Sequence, residues 1–244
     1  MWSERSSLLD LTNEILSKLS KKSNKTQSTQ NLRKLVMSKC LESGQTTRSF
    51  NNNQQFDCVE FLQSLLEHMW NELPSADTLQ ETVFGGLFEE NLKCECGNTD
   101  KLHIKRMYDV LSIPIKGDNI QTSLDGYFST EVIDRKCAHC PSTSCSKSVN
   151  IVIPPSTLIL HLLRFTYDES TKEARKLHHP IKCPQNLLFN STASYQLHSV
   201  INHIGESSTS GHYNFLIPDK HNQNFILLDD LIKFYMWLYT QSCE

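Results

Sequence analysis

The chain has 244 residues, 38% hydrophobic and 21% charged, enough to bury a sizeable core in one large domain or two small ones. A formal charge of -3 creates no strong field and argues against partners recognised through a nucleic-acid backbone or an anionic membrane surface. No stretch approaches the ~18 apolar residues of a membrane span, and Met1 to Arg5 lacks a secretory apolar region, so the expected setting is intracellular, cytoplasmic or nuclear.

Residues 1–82 read as helical. Leu8, Leu9, Leu11, Ile15, Leu16 and Leu19 recur at helical spacing, and the polar run Lys21 to Gln30 is assigned to a solvated loop. After the Asn51-Asn52-Asn53 turn, Phe61, Leu62, Leu65, Leu66, Met69, Trp70 and Leu73 form one helical stripe that Pro74 stops. Residues 83–150 carry short apolar runs, glycine punctuation and five of the nine cysteines, which fits an antiparallel, hairpin-rich subdomain better than a helical one. From Ile151 onward strands dominate. Thr157 to Phe165 is apolar on both alternating faces, as a covered central strand is; Tyr195 to His203 alternates, and His212 to Ile217 and Asn224 to Leu228 are two further short strands.

In a reducing compartment, cysteines at short spacings are metal ligands or nucleophiles before they are disulfides. Cys94 and Cys96, then Cys137 and Cys140, read as two knuckles of one tetrahedral zinc site, since zinc takes four thiolates and two hairpin pairs supply them. A subdomain short of large apolar residues gains folding energy from such a site. The first pair is one residue shorter than the usual Cys-x-x-Cys, and Cys145 and His139 stand as spare ligands; four ordinary thiols in a loop region are the competing reading. Separately, Ser210-Gly211-His212-Tyr213 closes one apolar stretch and Asp229-Asp230 closes the next, placing a histidine and an acidic orienter as the base half of a nucleophilic triad.

Five motifs then converge. Gln54-Gln55-Phe56-Asp57-Cys58-Val59-Glu60-Phe61-Leu62 resembles the glutamine-rich box of the ubiquitin-specific proteases, Phe84-Gly85-Gly86 with the cysteine pairs resembles their zinc-bearing fingers, and Leu158 to Phe165 resembles their Leu-Ile-Leu-His-Leu-Lys-Arg-Phe strand. Tyr195 to Tyr213 is similar to their histidine box and Phe225 to Asp230 to their terminal acidic motif. The resemblance implies an α+β, papain-like fold with a helical thumb over residues 1–82, zinc-bearing β fingers over 83–150 and an antiparallel β palm over 151–244. It implies deubiquitination: cleavage after the terminal glycine of ubiquitin, with ubiquitin or ubiquitinated proteins as partners. His212 becomes the general base, Asp229 its orienter and Asp230 a supporting or oxyanion-side acid. Asp57, Glu60 and Tyr213 fall at substrate-binding positions, the two acids near the arginines of the ubiquitin tail. Asp57 followed by Glu60 is also a helix-capping pattern, and the two roles are compatible.

The family's Gly-Asn-Thr-Cys-Tyr-x-Asn stretch, which supplies the nucleophile and oxyanion donors, does not occur in these 244 residues. None of Cys40, Cys58, Cys183 or Cys243 sits beside a base or a helix N-terminus that would lower its pKa, so the nucleophile is assigned to none. Triad members act as one unit, and the chain as written is expected not to hydrolyse isopeptide bonds. A fragment of a cysteine-bearing protease and a ubiquitin-binding pseudoprotease both fit; retention of His212 and Asp229 favours the first. A zinc-bearing adaptor unrelated to ubiquitin would explain the cysteine pairs alone.

Overall fold

The computed structural model describes residues 26–42, 57–72, 83–106, 109–189, 193–207, 210–219, 225–228 and 237–241. The chain divides into two compact units, Met1–Leu79 and Gln80–Glu244. The first contains helix α1 (Thr26–Glu42) and helix α2 (Cys58–Glu72). Helix α1 starts inside the polar run that the sequence assigned to a loop. No glycine or proline interrupts Thr26 to Glu42, and Leu32, Leu35, Val36 and Cys40 recur on one stripe that meets Phe61, Leu65 and Met69 of α2. Burial of that stripe outweighs the weak propensity of the first turn. The expected helix over Leu8 to Leu19 lies outside the described residues. No helix among the described residues is long and apolar enough to cross a membrane.

The second unit holds two main sheets. In the first, β1 (Leu87–Cys94) lies between β2 (Thr99–Arg106) and β5 (Ser144–Ile153), with β4 (Glu131–Asp134) beyond β5, all antiparallel. Along β1, Phe88, Leu92 and Cys94 are buried, which is the period of two that a strand with one covered face requires. The chain leaves this sheet between β2 and β4. Strand β3 (Leu111–Pro114) crosses to the second sheet, and helix α3 (Ile120–Phe128) follows. The hairpin-rich reading of this region missed α3. Its signals are local: the Asn119 side chain accepts the Gln121 N–H as an N-cap, and Ile120 and Leu124 bury one face, while Gly126 disguises the pattern.

The second sheet runs β12-β11-β10-β13-β6-β3, with β9 (Asn186–Phe189) also paired to β10 (Ala193–Ile204). Its remaining members are β6 (Thr157–Leu163), β11 (His212–Pro218), β12 (Phe225–Leu228) and β13 (Trp237–Gln241). Leu158, Ile159, Leu160 and Leu162 of β6 are all buried, as expected of a strand covered on both faces. The last described strand is β13, Trp237–Gln241. A separate hairpin, β7 (Phe165–Asp168) and β8 (Glu173–Lys176), follows β6.

A row of aromatic rings joins the two sheets. Phe88 stacks on Phe128 at 5.9 Å, Phe128 meets Phe189 edge-on at 5.3 Å, and Phe189 meets Tyr195 edge-on at 5.5 Å. The Tyr195 hydroxyl donates to the Pro155 carbonyl, so this buried polar tip is satisfied. Leu111, Ile113, Leu124, Leu158, Leu160 and Leu187 pack around the row. Phe189→Ala, at the centre of the row, is expected to destabilise the protein by about 3–5 kcal/mol, read as a lowered denaturant midpoint with an unchanged slope.

Candidate functional site

The cysteine site is built by two turns at one end of the four-stranded sheet. The Cys94 N–H donates to the Asn98 carbonyl and the Gly97 N–H to the Cys94 carbonyl, a tight reversal that Gly97 permits with φ +86°. The Cys137 N–H donates to the Ser142 carbonyl in the second turn. The four sulfur atoms of Cys94, Cys96, Cys137 and Cys140 lie within 4.8 Å of one another. Cys94 Sγ is 3.5 Å from Cys140 Sγ, and Cys96 Sγ is 3.8 Å from Cys137 Sγ. A tetrahedron with metal–sulfur bonds of ~2.3 Å has edges of about 3.8 Å, whereas a disulfide needs ~2.05 Å. The spacing is that of ligands. The Cys-x-Cys pair closes as well as the longer one because its turn presents both sulfurs on one side.

Electrostatics favour thiolate at one sulfur of the cluster and oppose it at another. The Cys96 backbone N–H pulls the Cys94 thiol down to about 6, against the cost of burial. At Cys140 the Ser142 N–H acts in the same direction, yet the hydrogen bond with Cys94 and burial carry its pKa up to about 12. One negative sulfur thus forms readily and the next resists, until a cation neutralises both. The His139 N–H also donates to Cys137 Sγ at 3.4 Å. Neither spare ligand joins the four: Cys145 turns its thiol to the Arg135 carbonyl at 3.4 Å, and the His139 residue is exposed. The cluster can hold a metal ion.

His212 is the first residue of β11 and pairs with Ile204, the last residue of β10. Directly paired residues share a sheet face, so His203 and Tyr213, themselves paired, lie on the opposite face from His212. Their rings are 4.9 Å apart. Gly211 has no room for a side chain: a Cβ there would stand 2.2 Å from His203 Nε2 and 2.7 Å from the Ile204 carbonyl oxygen. At Gly205, with φ +141°, a Cβ would stand 3.0 Å from the Gly211 Cα. His212 and Tyr213 are half-buried. Asp229 and Asp230 lie outside the described residues; they follow Leu228, the end of β12, which pairs with Phe215 of β11.

In the helical unit, Asp57 caps α2, its Oδ1 accepting the N–H groups of Val59 at 2.8 Å and Glu60 at 3.2 Å. Asp57 and Glu60 are exposed. Cys58 is buried, and burial with the adjacent Asp57 charge pushes its thiol strongly up, away from thiolate. Cys40 Sγ meets His68 Nε2 at 3.6 Å, a pair with no sequence signature, but at 1% exposure it is closed to a macromolecular substrate. Sequence reading also passed over Arg164, Lys176, His203 and Glu206 as a group, because 42 residues separate the first from the last and only folding brings them together.

Comparison with known proteins places this geometry. Ubiquitin carboxyl-terminal hydrolase 26 of Oryza sativa subsp. japonica is 28% identical over 204 residues, covering 75% of this chain and 19% of the rice protein. Ubiquitin carboxyl-terminal hydrolase 23 of Arabidopsis thaliana is 29% identical over 193 residues, covering 68% of this chain and 22% of its own length. The chain thus spans about a fifth of these relatives. A solved SAGA DUB module of Ubp8, Sgf11, Sus1 and Sgf73 bound to ubiquitin aldehyde matches with TM-score 0.76 at 20% identity, over 99% of this chain and 61% of that one. The corresponding module bound to monoubiquitin matches with TM-score 0.77 at 22% identity, over 98% and 59%. At that identity the likeness is one of fold, and it is the α+β fold that the motifs imply. The family model of ubiquitin carboxyl-terminal hydrolases matches residues 3–233, and the chain belongs to that family.

Proposed function

We propose that this chain forms the thumb remainder (1–82), fingers (83–150) and palm (151–244) of a cysteine-type deubiquitinase, binding ubiquitin and supplying His212 as the general base. The observation that carries the reading is the placement of His212 at the head of β11, on the strand paired with the one that leads into Asp229. Asp229 orients the imidazole and stabilises its charged form, and Asp230 supports the developing charge nearby. Tyr213 follows His212 along the strand, and Asp57 and Glu60 offer exposed acids to the arginines of a ubiquitin tail. Capping engages only one oxygen of Asp57 in the contacts above, which leaves its charge available. The nucleophile comes from a Gly-Asn-Thr-Cys-Tyr-x-Asn segment that these 244 residues do not contain.

The ion in the four-cysteine cluster is zinc. Four thiolates at tetrahedral spacing suit a borderline-soft d10 cation, and the role is structural because no coordination position is left for water. Cys94, Cys96, Cys137 and Cys140 hold it and keep the two turns of the fingers together. A thiolate-held ion needs reduced cysteines, which fits a cytoplasmic or nuclear setting.

Titration with ubiquitin is expected to show micromolar binding, and an electrophilic ubiquitin probe to leave the 244-residue chain unlabelled. Absence of binding at high micromolar ubiquitin overturns the reading; labelling overturns the assignment of the nucleophile. When the chain is joined to a cysteine-bearing segment, probe labelling appears, and His212→Ala lowers turnover by a factor on the order of 10^3 or more. Metal analysis should give about one zinc per chain, with less than about half an equivalent counting against the site. Cys137→Ser should lose it and lower the melting temperature by roughly 5–10 °C, equivalent to about 2–3 kcal/mol in a domain of this size.

A further inference from the structure

The end of β10 and the residues after it are tethered by the last residue of β8 and the segment that follows. Lys176 Nζ lies 3.1 Å from His203 Nδ1 and 3.2 Å from the His203 carbonyl, and it also donates to the Gly205 carbonyl. An ammonium has three N–H donors and no lone pair, so these three acceptors use all of them. His203 Nδ1 must then accept, which places the ring proton on Nε2. That nitrogen faces Gly211, where no Cβ could fit. One residue further is His212.

The tether is itself anchored. Arg164 Nη1 donates to the carbonyls of Leu177 at 2.9 Å and His179 at 3.1 Å, and the Leu177 N–H returns to the Arg164 carbonyl at 2.7 Å. His178 Nε2 reaches Glu206 at 2.8 Å, a second link from the same segment to the same loop. Burial lowers the Lys176 pKa, Glu206 opposes that shift and Arg164 adds to it, and the Phe165 ring lies 5.9 Å from the ammonium. The His203 ring that Lys176 holds lies on the sheet face away from His212.

We propose that Lys176 is a positioning residue for His212: through its three bonds to His203 and Gly205 it fixes the loop and the ring on which Gly211 rests. The proposal rests on the reading of His212 as the base. Lys176 touches neither substrate nor nucleophile. It acts by restricting the backbone that aims the imidazole, and a loss of ~1 Å of precision at such a group is costly to a reaction that depends on orientation.

Hydrogen exchange and histidine ring resonances of the 244-residue chain test this without ubiquitin, so failure to bind ubiquitin would sink the function and leave this result standing. Lys176→Met keeps the stem and removes the donors. It should speed exchange of the Gly205, Gly211, His212 and Tyr213 amides by about tenfold and move the His212 ring signal, with the buried amides of β6 unchanged. His203→Phe should do the same, and the double variant should add little to either. Unchanged exchange and ring signals in Lys176→Met overturn the proposal, as does a loss of protection spread evenly over the sheet. If Lys176→Met does not fold, Glu206→Gln decides: that side chain is 87% exposed, and its replacement should raise exchange at the same loop residues by a smaller factor. No change there, beside an unfolded Lys176→Met, also overturns it.

Discussion

The four-ring row of Phe88, Phe128, Phe189 and Tyr195 is the contact on which the β unit depends. Each ring comes from a different element: β1, α3, β9 and β10. The four-stranded sheet has little core of its own, and the row makes one end of it part of the core of the larger sheet. Six residues separate Phe88 from Cys94 along β1, and at ~3.3 Å per residue that is about 20 Å of strand reaching away from the shared core. At the far end the buried cluster is Cys94, Cys137 and Cys145 with Cys140 beside it. Among the described residues, aromatics hold this sheet at one end and the cysteine cluster lies at the other. A metal ion held by the four cysteines would tie the two turns at this end together.

Strand β10 carries the consequence to the histidine. Tyr195, near its start, is fully buried in the row, while His203 and Ile204 at its end frame the loop into His212. Strand β13 pairs along the middle of β10, with an irregularity between Leu197 and Ser199, and β9 and β11 pair at its two ends. A strand paired this fully does not slide, because a one-residue slip would send Tyr195 and Leu197 to the wrong face. The position of His212 is therefore set by the same burial that holds the fingers.

Much of this was legible in the sequence because the signals were local. Leu158 to Leu162 announced a doubly covered strand, the cysteine pairs announced their cluster, and Ser210-Gly211-His212 marked a strand start. Helix α3 was hidden because its stripe is short, Ile120 and Leu124 with Gly126 inside, and α1 because its first turn is polar. What the sequence could not convey was convergence. Lys176 is one of two adjacent basic residues at the end of Glu173 to Lys176, and its three acceptors, none of them an acidic side chain, single it out. Cys40 and His68 are likewise unremarkable apart, and their meeting depends on the packing of α1 against α2.

The division of the sheet into two faces accounts for the glycine before the histidine. In the proposed role of His212 as base, the imidazole must face a substrate on one side while its backbone is restrained, and restraint from that same side would block the approach. Here the support comes through the sheet. His203 and Tyr213 lie on the face opposite His212, and the His203 ring, held by Lys176, stands against the backbone at position 211. Any side chain at that position would push the His203 ring off Gly211 or break its bond to Lys176, since the ring and the Ile204 carbonyl already fill the space. Glycine at 211 is thus required by the closeness of the His203 ring and the Ile204 carbonyl.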